Sequence, residues 1–127
     1  MGRASSELGK LLEEFVDELN RGDGDAAGRR FTSADELLVI GTSSGEWLEG
    51  PKLAVDAFRV EAGTLRADFD QVNTYQDGPF GWIAARGHMT LQDGRALPVR
   101  WTLVLQRGAD QWEILHSHLS VPDDLEH

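Results

Sequence analysis

The chain has 127 residues, with 22 acidic and 12 basic side chains, a formal net charge of −10 and no cysteine. This length suits one domain with a single core. The acidic balance argues against nucleic acid or an anionic membrane as a partner, because those surfaces attract clustered Lys and Arg. The lack of cysteine excludes disulfides, thiol catalysis and Cys-type zinc sites.

We expect neither an export signal nor a membrane span from this sequence. The N-terminus MGRASSELGK lacks the apolar core of a signal peptide, and no apolar run is long enough to span a bilayer. A cytoplasmic protein is therefore expected. The final Leu125-Glu126-His127 looks like the beginning of a purification tag, so we expect the single domain to occupy residues 1–124.

The N-terminal half has the pattern of helices. Ser5 or Ser6 can cap a first helix, and Gly22 can end it. A short second helix is expected within residues 23–31, and a third within residues 50–63, where a proline occupies the first position. Spacings of three and four predict one apolar stripe on the first helix, Leu8, Leu11, Leu12, Phe15, Val16 and Leu19, and one on the third, Leu53, Ala54, Ala57, Phe58 and Glu61.

The rest of the chain has the pattern of strands. Residues 37–41 (LLVIG) are a short apolar run, followed by a loop over residues 42–50. Asp93-Gly94 lies between two alternating runs and predicts a hairpin. Helices grouped before antiparallel strands indicate an α+β domain with its helices on one sheet face. The four long strands are expected at residues 65–76, 80–91, 95–106 and 111–121.

The last two strands leave their orientation open. In the first of them, one parity carries Val99, Trp101 and Leu103, and the other carries Arg100 and Thr102. Neither side of the pair is purely polar, so both sheet faces are expected to be covered. A single β-bulge would exchange the two sides, so the pattern alone does not decide which parity faces the core.

Four stretches share the pattern of a known family. They are the helical N-terminal half, Ile40-Gly41-Thr42 with Glu46-Trp47 and Gly50, residues 98–102 (PVRWT), and residues 112–120 (WEILHSHLS). In these the chain resembles the SnoaL-like branch of the nuclear transport factor 2-like superfamily. The resemblance implies a cone-like, curved antiparallel or mixed sheet wrapped around the N-terminal helices, an α+β barrel of cystatin-like type. It also implies a small-molecule pocket in the cone and, often, a homodimer.

The superfamily hosts isomerases, cyclases, dehydratases and binding modules, so the fold does not settle the function. An isomerase site of the ketosteroid type is not evident, because that site needs a Tyr and two carboxylates and Tyr75 is the only tyrosine. His118 and His88 are the candidate catalytic residues, as partners of Glu46 or Asp35. The candidate ligand-binding residues are Glu46, Trp47, Tyr75, Arg100 and Thr102.

Each candidate has a structural alternative. Arg100 inside a cone would need an anionic partner, either Glu46 or a ligand carboxylate or phosphate. His118 can be a general base, or it can simply bond to the backbone or to Ser120. We expect no metal, although His116 and His118 share a strand face with His88 or Glu113 as a possible third ligand. We also expect no cofactor, since the chain has no phosphate-binding glycine loop.

Two functions fit these residues. The first is a dimeric binding module that holds a small apolar or weakly anionic molecule. The alternative is a cofactor-independent isomerase, cyclase or dehydratase that uses His118 or His88 as acid and base and Arg100 to stabilise an oxyanion. We expect a homodimer through an outer sheet face that carries Trp101 and Trp112. We further expect a cavity of roughly 300 Å³ or more, approached by Trp47, Arg100, Thr102 and His118.

Overall fold

The computed structural model describes residues 2–43 and 45–122. The predicted tag remnant at residues 125–127 lies outside this range. No helix in the described part is long and apolar enough to cross a membrane. The described elements are α1 (Ser6–Asn20), α2 (Gly24–Gly28), β1 (Leu38–Ile40), β2 (Trp47–Glu49), α3 (Pro51–Glu61), β3 (Arg66–Asp77), β4 (Phe80–Thr90), β5 (Ala96–Arg107) and β6 (Trp112–Ser120).

The three helices begin where the local chemistry predicts. The Ser5 hydroxyl accepts the amide of Leu8 at 3.1 Å and caps α1. Asp23 caps α2 in the same way, through the amide of Ala26 at 3.0 Å. Pro51 occupies the first turn of α3, where a missing N–H has no cost. The predicted helices are therefore confirmed.

The six strands form one mixed sheet in the order β2-β1-β6-β5-β4-β3. The strands from β3 to β6 make the expected antiparallel meander, and the sheet is curved but does not close. β1 pairs in parallel with β6, and β2 folds back antiparallel on β1. Residues 47–49 were expected in a loop, and a strand of three residues at a sheet edge is too short to show an alternation.

Two β-bulges bend the sheet. In β3 the register shifts between Phe69 and Gln71, directly opposite Gly87 on β4. A Cβ atom at Gly87 would lie 2.0 Å from the carbonyl oxygen of Asp68, so only glycine permits this close approach. The second shift, between Val104 and Leu105 of β5, leaves one extra residue in β6. Each bulge changes which side chains of its strand face the helices.

The second bulge decides the orientation of the C-terminal ribbon. Trp112 of β6 faces the helices before the bulge, whereas Ser117 faces them after it. On β5, Trp101 faces the same way and is 5% exposed, and Trp112 is 4% exposed. The prediction that Trp101 and Trp112 lie on the outer face is therefore wrong. Their rings fill the space between the curved sheet and the helices, where large aromatic side chains bury the most area.

Several aromatic rings surround Phe15 of α1 in the core. Its ring centroid lies 5.9 Å from that of Phe31 and 5.3 Å from that of Trp101. Nearby, Arg30 donates from Nε and Nη2 to the two carboxylate oxygens of Glu18 at 2.6 and 2.7 Å. This hydrogen bonding to Glu18 raises the pKa of Arg30. The bidentate pair fixes the segment after α2 against α1. We call Phe15, Glu18, Arg30 and Phe31 the packed region.

Candidate functional site

A cavity of about 130 Å³ lies between the C-terminal parts of α1 and α3 and the inner face of the sheet. Space remains there because several wall positions carry a methyl group or no side chain, namely Gly41, Ala57, Ala62 and Ala67. An apolar cavity of about 150 Å³ can hold a benzene molecule. Most of the remaining wall is apolar: Leu19, Val39, Ile40, Leu48, Phe58, Leu65, Phe69, Met89, Trp101 and Leu119.

One buried hydrogen-bonded pair contributes to the inner wall of the cavity. Trp101 on β5 donates from Nε1 to the hydroxyl oxygen of Ser117 on β6 at 2.8 Å. Ser117 is only 1% exposed. The bond from Trp101 uses one lone pair of the Ser117 oxygen, so the hydroxyl proton of Ser117 can be donated to a second group. The cavity therefore offers one polar group at a well-buried position.

Glu46 reaches the cavity from the segment between β1 and β2. Its backbone carbonyl accepts the amide of Gly41 at 2.8 Å, which closes the turn. Ser43 donates to Glu46 Oε1 from its amide at 3.1 Å and from its hydroxyl at 2.5 Å. A Cβ atom at Gly41 would lie 2.3 Å from Glu46 Oε2, so the glycine leaves room for the carboxylate. Glu46 is thus positioned by its own turn.

Glu61 reaches the same cavity from the last residue of α3. Burial raises the pKa of its carboxyl above the usual 4.5, and the neighbouring charge of Glu46 raises it further. The C-terminal end of a helix also disfavours a negative charge. Within residues 2–43 and 45–122, Glu61 forms no ion pair with a cation. Two carboxylates therefore share this cavity without a basic partner.

The predicted site residues separate into two groups. Glu46 lies at the cavity, whereas the other candidates lie on the outer side of the sheet or in exposed positions. The prediction that Trp47, Arg100, Thr102 and His118 approach one cavity is wrong, because none of them belongs to its wall and all four are exposed. On β5 and β6, Trp101 and Ser117 occupy the inward positions and turn their neighbours outward. The residues outside the cavity are Trp47, Tyr75, His88, Arg100, Thr102 and His118.

Several of these residues have other contacts. Trp47 is 58% exposed and donates from Nε1 to Glu49 at 3.0 Å. Tyr75 stacks on Trp82, with ring centroids 5.7 Å apart, on the outer face. Arg100 forms no ion pair with any described residue, so neither Glu46 nor another carboxylate is its partner.

The outer-face histidines do not form a metal cluster in the described part of the chain. His116 Nδ1 lies 2.9 Å from the carbonyl oxygen of Leu38, and the rings of His116 and His118 are 6.5 Å apart. Among residues 2–43 and 45–122, no three His, Asp or Glu side chains are placed to hold one ion. His88 lies two strands away from His118, since β5 separates β4 from β6.

Sequence reasoning missed Glu61 as a site residue. The signal was present, because Glu61 continues the apolar stripe of α3 that includes Ala57 and Phe58. Glu61 ends this stripe at the cavity wall while its side chain stays exposed to water.

Residues 9–124 match the family model of the SnoaL-like domain. The chain belongs to this family. No curated protein matches the sequence of this SnoaL-like domain at a significant level.

Solved structures support the same fold. A nuclear transport factor 2-like protein of unknown function from Pseudomonas putida KT2440 has a TM-score of 0.83 and 18% identity, covering 95% of this chain and 88% of that one. A proposed dehydratase of the same family from Streptomyces avermitilis has a TM-score of 0.81 and 16% identity, covering 92% and 94%. A cystatin-like fold protein from Burkholderia xenovorans LB400 has a TM-score of 0.73 and 17% identity, covering 95% and 97%. The expected SnoaL-like α+β fold is confirmed.

Proposed function

We propose that this SnoaL-like domain binds a small, mostly apolar molecule in the cavity between α1, α3 and the sheet. The observation that carries the proposal is an open apolar space beside the buried Trp101 and Ser117 pair. Ligand sites are typically apolar concavities with a few placed polar groups. With a volume of about 130 Å³, the cavity is smaller than expected from the sequence. It suits a body of about one ring.

The charged residues around the cavity restrict the charge that the proposed ligand can carry. The sequence favoured an apolar or weakly anionic ligand because Arg100 was expected to face it. Arg100 is exposed and lies outside the cavity wall, whereas Glu46 and Glu61 belong to it. Two carboxylates repel an anion. The ligand is therefore neutral or cationic at the end near these carboxylates.

The binding proposal can be tested with benzyl alcohol as a neutral one-ring probe. We expect it to shift the NMR resonance of the Trp101 indole N–H, because that group borders the cavity and bonds to Ser117. The resonance is assigned from its loss in Trp101→Phe. Ala57→Leu should fill the space and remove the response. No saturable shift in the native chain, or the same shift in Ala57→Leu, would refute the proposal.

We also propose that two copies associate through the outer face of the sheet, defined here by Leu38, Tyr75, Trp82 and Val104. These side chains and His116 form one row across five strands. Leu38 and Val104 both pair with His116, and Trp82 pairs with Val104 and Tyr75. Trp82 is 40% exposed and Tyr75 is 38% exposed. Leu38 and Val104 are half-buried, so the exposed apolar area of the row lies mainly on the two aromatic rings. Exposed apolar patches are typical of association surfaces. The same face on a second copy is self-complementary.

Sedimentation velocity tests this association. Trp82→Glu should convert a dimer into a monomer, because the carboxylate would lose its water in the contact without gaining a partner. Val60→Glu is the matched control, since Val60 is 76% exposed on α3, away from the outer face. A native chain that is monomeric at tens of micromolar would contradict the proposal.

A second candidate function is acid–base catalysis by the carboxylates. The observation that favours it is that Glu46 and Glu61 line one largely apolar cavity. The pKa of Glu61 is raised there by burial and by the charge of Glu46, and a carboxylate with a raised pKa is a stronger base when ionised. Benzisoxazole opens to a cyanophenolate when a base removes one ring proton and the N–O bond breaks. Glu61→Gln should remove any acceleration of this reaction, whereas Glu49→Gln should keep it. Equal rates with and without the protein would argue against catalysis.

A further inference from the structure

We infer that the ligand is a small ketone or aldehyde whose oxygen accepts a hydrogen bond from the hydroxyl of Ser117. This inference rests on the proposed binding function and adds the chemical class of the ligand. Ser117 is 1% exposed and belongs to the cavity wall, and its oxygen accepts the indole N–H of Trp101. In the described part of the chain, no hydrogen bond uses the proton of this hydroxyl.

The neighbours of Ser117 on the inner face of the sheet are apolar. Val39 on β1 and Leu103 on β5 pair with it directly, and Leu119 follows on the same side of β6. The main-chain carbonyls around it belong to the sheet, because β6 is paired on one side by β1 and on the other by β5. A buried donor without an acceptor costs free energy, so an acceptor carried by a ligand would bind favourably there.

Other polar side chains of the wall do not take this proton. The Asn20 side chain donates to the carbonyl of Ala67 and accepts its amide, both at 2.8 Å. Within residues 2–43 and 45–122, neither Glu46 nor Glu61 forms a hydrogen bond with Ser117. The donor of Ser117 is therefore left for a molecule inside the cavity.

Ser5 shows how the same chain uses a buried hydroxyl that has only a structural role. Ser5 is 6% exposed, its oxygen accepts the amide of Leu8 at 3.1 Å, and its proton is donated to Oε1 of Gln76 at 2.9 Å. Ser117 uses only its accepting side. The bond from Trp101 also polarises the O–H group of Ser117, which makes this hydroxyl a stronger donor.

The charge and shape of the cavity select the kind of acceptor. Glu46 and Glu61 repel an anion. An alcohol or amide is less suited, because it brings a proton of its own and the apolar neighbours of Ser117 offer no acceptor for it. A carbonyl group is neutral and accepts without donating. Since about 130 Å³ suits a body of about one ring, the ligand class is a cyclic or short branched ketone or aldehyde.

Two probes of the same shape isolate this hydrogen bond. Cyclohexanone carries the carbonyl oxygen, and methylenecyclohexane has a methylene group in its place. Their dissociation constants are measured by ligand-observed NMR at neutral pH, with the native chain and with Ser117→Ala. We expect Ser117→Ala to weaken the binding of cyclohexanone about tenfold more than that of methylenecyclohexane. Comparing the two chains is decisive, because the carbonyl loses the same water in both.

A control, a double variant and a spectrum complete the experiment. Ser120→Ala should leave both constants unchanged, because Ser120 lies on the outer side of β6 and outside the cavity wall. The freed indole of Trp101 can donate in Ser117→Ala, so Trp101→Phe/Ser117→Ala, which has neither donor, should show the largest loss. With the native chain alone, the carbonyl stretching band of bound cyclohexanone should lie at lower frequency than in an alkane solvent.

The outcomes distinguish this inference from the proposed function. Equal changes for the two probes in both variants, or a carbonyl band at its alkane frequency, would overturn the inference and leave the apolar binding site standing. If neither probe binds the native chain, both the binding site and its ligand class are wrong.

Discussion

The packed region and the cavity are two parts of one interior, and they differ in the partners that they give to a carboxylate. In the packed region, Glu18 is neutralised by two short bonds from Arg30 beside the Phe15 ring. At the cavity, Glu61 shares space with Glu46 and with small wall residues. The buried carboxylate of Glu18 needs its basic partner, whereas Glu61 is exposed to water and can keep its charge without one. Substitutions in each part test this difference.

The largest expected effect comes from aromatic truncation. Phe15→Ala should lower the free energy of unfolding by about 4 kcal/mol, because Phe15 is fully buried and a cavity of its size would remain. Phe69→Ala should cost clearly less, since Phe69 is half-buried and already borders open space. Urea denaturation of both variants measures the difference. Equal losses would mean that the two regions are equally well packed.

The next effect comes from the ion pair. Glu18→Gln should cost about 3 kcal/mol, because it leaves the Arg30 charge partly buried without its partner. Glu14→Gln is the matched control one turn earlier on α1. Its carboxylate lies 3.6 Å from Arg30, and its side chain is 53% exposed. We expect a loss of less than about 0.5 kcal/mol there. A comparable loss in both variants would remove the distinction between the two carboxylates.

A smaller effect is expected at the buried hydroxyl of the cavity. Ser117→Ala should cost about 2 kcal/mol, since the indole N–H of Trp101 would lose its acceptor while remaining buried. Ser120→Ala, on the opposite face of β6, should cost little. Thermal unfolding of both variants gives the comparison. Unchanged stability of Ser117→Ala would indicate that water replaces the hydroxyl.

The smallest expected effect is a gain in stability, from substitution of Glu61. The folded chain raises the pKa of Glu61, so the folded state binds the proton more tightly than the unfolded state does. The contribution of Glu61 to the free energy of unfolding therefore falls as the pH rises from about 4.5 through the pKa of Glu61 in the folded state. Glu61→Gln should stabilise the chain at neutral pH by less than about 1 kcal/mol, because water screens the half-exposed carboxyl. Urea denaturation should show that this gain in the free energy of unfolding disappears below pH 4.5. A loss of stability in Glu61→Gln at neutral pH would contradict the raised pKa of Glu61.

Much of the fold was readable from local patterns. The apolar stripe from Leu8 to Leu19, the caps at Ser5 and Pro51, and the alternation of the four long strands each depend on neighbouring residues alone. The predicted strands end within about two residues of the observed ones. Grouped helices and strands were enough to indicate the α+β class. The short strand β2 was missed because three residues are too few to show an alternation, so its strand character depends on pairing with the distant β1.

The site was only partly readable, because its residues meet through the tertiary structure. Glu46 was recognised, whereas Glu61 was seen only as a member of a helical stripe. The side of the sheet on which Trp101, Arg100 and His118 lie depends on the register of β5 and β6, and one extra residue at the bulge exchanges the two sides. Local sequence determines which elements form, because hydrogen bonding and periodicity act over a few residues. Only the packed sheet decided which faces enclose the cavity and which two carboxylates share it, since these depend on contacts between distant parts of the chain.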